Sequence, residues 1–292
     1  MKATPEQATP EQRIAALPCW TGLSDIAPLS GGMTNHNFRV RDKRGQYALR
    51  FGQDLPQYGV LRFNELAIAR AAHAAGVTPE VVYAAEGVMV SRFIEGRTLE
   101  SADLRDPLRI PAVLAVLQRC HREVAQQVRG PVLMFWVFQV LRNYFATLEA
   151  IPDHLLARRL PALQREAARL EAQTGPVDIV LAHNDLLAGN FIDDGERLWL
   201  IDWEYAGFNS PLFDLANLSC NNGFSRELEQ ELLAQYFGTA ADAQRQHTFD
   251  CLRRASLLRE VLWGAVSHHT SAIAFDYAAY TRGWLAQLDE RA

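Results

Sequence analysis

The pattern of apolar residues changes once along this chain, near residue 96, and that change narrows the available folds more than any other feature. Before it, the apolar runs are short and alternating. From Ile26, the stretch IAPLSGGMTNHNFRVRDKRGQYALRFG carries two such runs around a Gly-Gly loop, a turn at DKRG and a third run over 47–51, the signature of an antiparallel meander. Phe63, Leu66, Ala67 and Arg70 then recur at helical spacing with Gly76 as a stop, which predicts a helix over 62–75 packed on the meander. TPEVVYAAEGVMVSRFIEG supplies two more strands about Glu86-Gly87. After Gly96 long helical segments take over, at 110–128, 135–148 and 155–172, with Pro131, Pro152 and Pro161 as punctuation. Residues 178–182 read as a short strand, NFIDDGERLWLID as a hairpin turning at 193–196, and the chain from Pro211 onward as helical. The expected fold is α+β with two lobes: residues 1–18 loosely ordered, 19–96 a small antiparallel β-rich lobe, and 97–292 a large, mainly helical one.

Composition limits what such a chain does. With 292 residues, 49% of them hydrophobic, it can bury a sizeable core. A formal charge of −5 and the lack of a long basic run argue against nucleic acid or an anionic membrane surface as a partner, and suit a small cationic substrate better. Cys19, Cys120, Cys220 and Cys251 are widely spaced, with no CxxC pair, and read as buried free thiols in a reducing compartment. The N-terminal MKATPEQATPEQ repeats ATPEQ and lacks the apolar core of a signal peptide, and no apolar run reaches membrane-spanning length. A cytoplasmic protein without membrane insertion is expected.

The chemistry concentrates in LAHNDLLAGNFI, residues 181–192. Asp185 and Asn190 stand five positions apart, so a tight loop can aim both into one cavity, and the hairpin that follows returns the chain so that Asp202 approaches Asn190. Phosphoryl transfer needs such a set. Magnesium takes oxygen ligands and few protein carboxylates, leaving water and nucleotide phosphates to complete its shell. Asn190 and Asp202 supply such ligands, and Asp185 can orient an attacking hydroxyl and accept its proton. His183 reads as a support for the loop. In SGGMTNHNF, the glycines leave backbone N–H groups open to phosphates, which makes Ser30, Gly31, Gly32, Thr34, Asn35 and Asn37 candidate nucleotide-binding positions. Arg50, on the third strand, is a cation for those phosphates, and Glu65 can pair with it.

HNDLLAGN together with LIDWEYAGFNSPLFDLAN resembles the choline/ethanolamine kinase and aminoglycoside phosphotransferase superfamily, within a eukaryotic-like kinase fold. LSGGMTNHNFRV, HND and IDWEYA are most similar to the choline kinase branch, with thiamine kinases close behind, over about residues 29–217. The resemblance implies ATP and Mg²⁺ as cofactors, Asp185 as catalytic base, Asn190 and Asp202 as metal ligands, and an Arg50–Glu65 pair on the nucleotide phosphates. The chain departs from protein kinases: the strand cation is Arg50, the metal motif is Asp202-Trp203-Glu204, and no activation segment ends in Ala-Pro-Glu. Protein substrates are therefore not expected.

Blander readings stand beside these. SGG between strands is also a tight turn, and Arg50 with Glu65 is also a surface ion pair. His268-His269 reads as structural, because neighbouring helical residues diverge by about 100°. His121 reads as buried support. Trp199, Trp203, Trp263 and Trp284 fall late in the chain, where the resemblance puts the acceptor pocket. Trp199 is expected in the core. Trp263 and Tyr280 are the candidates for aromatic contact with a quaternary ammonium, with Glu204 and Asp214 as counter-charges. Choline is the leading acceptor, thiamine and aminoglycosides the alternatives in the same chemistry, and an inactive kinase-fold binding protein the alternative in another class.

Overall fold

A computed structural model of the chain describes residues 9–29 and 35–290. Of the N-terminal segment expected to be loose, residues 10–15 instead form a helix whose Ile14 is fully buried, and residues 1–8 lie outside the described range. So do the loop candidates Ser30, Gly31, Gly32 and Thr34.

Two compact units emerge, one from residues 1–53 and 79–95, the other from 54–78 and 96–292. The first holds a short helix α1 (Pro10–Ala15) and a five-stranded antiparallel sheet of β1 (Asp25–Leu29), β2 (His36–Asp42), β3 (Gly45–Phe51), β4 (Val81–Ala85) and β5 (Val88–Arg92), in the order β1-β2-β3-β5-β4. Period-two alternation builds its core. Phe38 faces Leu49 and Val40 faces Tyr47 across the β2–β3 ladder, and these side chains pack with Ile14, Phe51 and Val90 on one face. Burying each large apolar side chain contributes about 2 kcal/mol. The β2–β3 turn is fixed by Asp42, whose buried carboxylate accepts from the Thr21 N–H at 2.9 Å, the Arg44 N–H at 2.7 Å and the Tyr47 hydroxyl at 3.2 Å.

The second unit is mainly helical. It contains α2 (Arg62–Ala74), α3 (Ser101–Leu104), α4 (Ile110–Arg119), α5 (Ala125–Gln127), α6 (Val137–Glu149), α7 (Leu160–Thr174), α8 (Pro211–Asn222), α9 (Arg226–Phe237), α10 (Ala243–Thr270) and α11 (Tyr277–Glu290). Between them lie a three-stranded sheet of β6 (Arg97–Thr98), β8 (Phe191–Asp193) and β9 (Leu198–Leu200), and a pair formed by β7 (Val180–Ala182) and β10 (Gly207–Asn209). From Thr248 to Ser267 most positions of α10 are buried, all round the helix from Ala255 onward, as in a helix enclosed by neighbours, here α6, α7, α8 and α11.

Three expectations need correction. The helix over 62–74 groups with the second unit, because its buried polar residues bond there: Asn64 donates to the Ala206 carbonyl at 2.9 Å and accepts from the Leu133 N–H at 2.8 Å. The helix expected from 155 begins at Leu160, since Pro161 fits a first turn, where its missing N–H costs nothing. Trp199 is only half-buried, donating to Asp194 at 2.6 Å with the Arg197 guanidinium 3.5 Å from its ring centroid. No helix among the described residues is long and apolar enough to cross a membrane.

Candidate active site

The loop over 183–190 leaves β7 and is held from behind by one face of α8. Asp214 is fully buried and accepts from the His183 N–H at 2.8 Å and the Asn184 N–H at 2.7 Å. One turn on, Asn217 accepts from the Leu186 N–H at 2.6 Å, and Asn222 donates to the Leu186 carbonyl at 2.9 Å. Side chains of one helix thus satisfy backbone groups that a loop in the interior could not leave unpaired. Asn184 takes a left-handed φ of 67° and bridges the Tyr205 carbonyl at 3.0 Å and the Asn209 amide at 2.8 Å. Leu186, fully buried, pins the middle of the loop.

A π-helical turn, Cys120–Val124, follows α4 and carries His121 inward. Its Nε2 lies 2.9 Å from Asp214 and its Nδ1 2.7 Å from the Tyr236 hydroxyl. Burial alone would raise the Asp214 carboxyl, but the His121 bond, the electrostatic influence of the His121 and His183 rings and the His183 N–H outweigh it and hold the group below its ordinary range. Asp214 was expected as a counter-charge for the acceptor. With its oxygens bonded to His121 and the loop backbone and no exposure, it instead supports the loop over 183–190. His183 is also fully buried, its Nε2 2.9 Å from the Ile201 carbonyl and its ring edge-on to Trp203, and burial holds it toward the neutral form.

Asp185 stands on this supported loop, its side chain mostly buried. Burial pushes its carboxyl above the ordinary range; Arg259 opposes that shift, while Glu260 and Glu204 reinforce it. Asn190 ends a 3₁₀ turn, and its Nδ2 donates to the Asp185 carbonyl at 2.8 Å, which directs Oδ1 away from that bond. The Ile201 N–H donates to the Asn190 carbonyl at 2.9 Å, so Asp202, the next residue, emerges beside Asn190. Asp202 has a φ of 66°, a left-handed conformation that an L residue adopts at a cost. One carboxylate and one carboxamide oxygen fit magnesium, which takes oxygen donors and keeps part of its shell for water and phosphate. Among the described residues no three His, Cys, Asp or Glu side chains gather to hold a metal.

The other candidates divide between the two units. Asn35 is buried, and Asn37 on β2 faces Arg50 on β3 in register, within the first unit. Glu65 lies in the second, on α2, where Arg62 bridges it at 2.8 Å to Glu204 at 3.1 Å. Trp263 and Tyr280 come together with ring centroids 5.4 Å apart. Trp263 donates to the Tyr205 hydroxyl at 3.0 Å, and the Tyr280 hydroxyl donates to Glu260 at 2.6 Å. Sequence reasoning did not single out Arg259, Tyr205 or Glu260 as site residues. The available signal was a charged pair, Arg259-Glu260, inside the apolar helical run LLREVLWGAV, since charges there survive only when partnered.

A family model described as choline/ethanolamine kinase matches residues 26–249. The chain belongs to the choline/ethanolamine kinase family. A probable ethanolamine kinase of Arabidopsis thaliana is 28% identical over 297 residues, covering 89% of this chain and 79% of that protein. The LicA protein of Haemophilus influenzae is 31% identical over 212 residues, 70% of this chain and 61% of its own length. The crystal structure of a choline/ethanolamine kinase family protein from Mesorhizobium loti matches with a TM-score of 0.77 at 29% identity, over 96% of this chain and 92% of the other. The fold is the two-lobed kinase-like α+β fold, and the chain is a small-molecule kinase of this choline/ethanolamine family.

Proposed function

We propose that this kinase transfers the γ-phosphoryl group of ATP to the hydroxyl of a small cationic amino alcohol of the choline and ethanolamine type. What supports this reading is the pair of bonds that link the three segments, Asn190 Nδ2 to the Asp185 carbonyl and the Ile201 N–H to the Asn190 carbonyl. A bound magnesium ion would be held by Asn190 and Asp202 and would offset phosphate charge. Asp185 aligns the acceptor hydroxyl and takes its proton as the oxygen–phosphorus bond forms and the bond to the departing ADP oxygen breaks. The names of the relatives favour the amino-alcohol class, and the net charge of −5 is compatible with it. Arg50 and Glu65, with Asn35, Asn37 and the loop over 30–34, are assigned to the nucleotide. A cytoplasmic setting goes with this reading.

ADP release under Mg-ATP with choline, ethanolamine, thiamine and kanamycin tests this. Turnover with the amino alcohols and little with the other two is expected. Asp185→Ala and Asp202→Ala should each lower turnover by at least about a thousandfold without lowering the thermal midpoint. Wild-type rates in either folded variant would remove that residue from its role. A magnesium-dependent thermal shift with ATP, with no turnover on any acceptor, would favour an inactive binding protein.

A further inference from the structure

Arg259 is the largest fully buried side chain of the described residues, and it sits against the residue assigned as the base. Its Nη1 lies 2.7 Å from Glu260 Oε1 and 3.3 Å from Asp185 Oδ1. Its guanidinium carbon is 4.5 Å from the Tyr205 ring centroid and 5.5 Å from that of Phe135. The chain's own cation therefore covers aromatic faces close to Asp185. Trp263 offers little in their place: it is 5% exposed, with Tyr58, Tyr277 and Tyr280 around its ring at centroid distances of 6.2, 5.8 and 5.4 Å.

A trimethylammonium group has no N–H and depends on open aromatic faces. A primary ammonium instead donates three hydrogen bonds and is held by carboxylate oxygens. Glu260 has such oxygens, one taking Arg259 and the other the Tyr280 hydroxyl at 2.6 Å, and each carboxylate oxygen can accept a second bond. Arg259 touches two acidic side chains, Asp185 and Glu260, so this one cation has two acidic partners and the group suits one further single cation. The buried Arg259 Nε–H has no acceptor among the described residues, a donor that an oxygen of the ligand would complete.

We propose that Arg259 sets the acceptor preference of this site, favouring a primary ammonium alcohol over its N-methylated forms. This rests on the reading of Asp185, Asn190 and Asp202 as the phosphoryl-transfer site. The test is kcat/KM of the full chain with ethanolamine, N-methylethanolamine, N,N-dimethylethanolamine and choline at saturating Mg-ATP. The wild type should lose efficiency with each methyl group, by about tenfold or more across the series. Arg259→Met, which removes the charge and keeps the length, should flatten or reverse the series, and Arg259→Lys should keep its order.

A wild-type series that is flat or rises toward choline overturns the inference and leaves the proposed function standing, and this arm requires no variant to fold. An Arg259→Met protein that folds and keeps the wild-type ratios also overturns it. Turnover of none of the four alcohols by folded protein overturns the proposed function, and the inference with it.

Discussion

Asp214 separates two explanations of a buried acid near a kinase centre. As loop support, its removal strands the His183 and Asn184 N–H groups and the His121 ring in the interior. An unpaired buried donor costs about 1–3 kcal/mol, so Asp214→Ala should destabilise the protein by about 3–5 kcal/mol. Turnover should fall with all acceptors together, because the loop that presents Asp185 loses its anchor. Had Asp214 served as the acceptor's counter-charge, the same change would raise KM and leave stability nearly unaltered. Urea midpoints and steady-state constants on one preparation distinguish these outcomes.

The elements that present the aromatic side chains depend on one close approach. A methyl group at Gly264 in α10 would meet the Thr281 hydroxyl at 2.6 Å and Tyr280 at 2.8 Å, both on α11. Alanine gains about 1 kcal/mol of helix propensity over glycine, whereas overpacking a tight contact costs about 1–3 kcal/mol. The clash wins, because Thr281 is buried and its hydroxyl donates to the Tyr277 carbonyl at 2.7 Å, so it has little room to turn. Gly264→Ala should lower the thermal midpoint by several degrees and displace Tyr280 from Glu260, weakening acceptor binding more than nucleotide binding. A midpoint raised by the substitution would show that α11 yields freely.

Across the whole molecule, what the sequence revealed was local. The meander announced itself through alternation and turn residues, and the Asp185, Asn190 and Asp202 segments through their spacing around a hairpin. What it concealed depends on distant partners: Asn64 bonds to Ala206, 142 positions away, His121 reaches Asp214 across 93 and Arg259 reaches Asp185 across 74, separations that periodicity does not encode. The same partnerships shape the response to acid, because each unit contains a carboxyl group held below its ordinary value. In the first unit, burial alone would raise Asp42, yet the Thr21 and Arg44 N–H groups, the Arg44 side chain and the Tyr47 hydroxyl bring it down to about 2, from an ordinary 3.8. In the second, Asp214 is lowered as well. A carboxyl depressed in the folded state contributes stability in full above its unfolded pKa and loses it as pH falls through the folded one. Asp185, shifted upward, acts in the opposite sense at higher pH, so the range below about pH 4 reports on the depressed groups. Urea midpoints should therefore drop steeply between about pH 4 and pH 2. Asp42→Asn should lower the midpoint at pH 7 and make the acid drop shallower, since amide nitrogen cannot replace the second accepting oxygen. An acid drop as steep in Asp42→Asn as in the wild type would mean that these hydrogen bonds do not govern the first unit's stability.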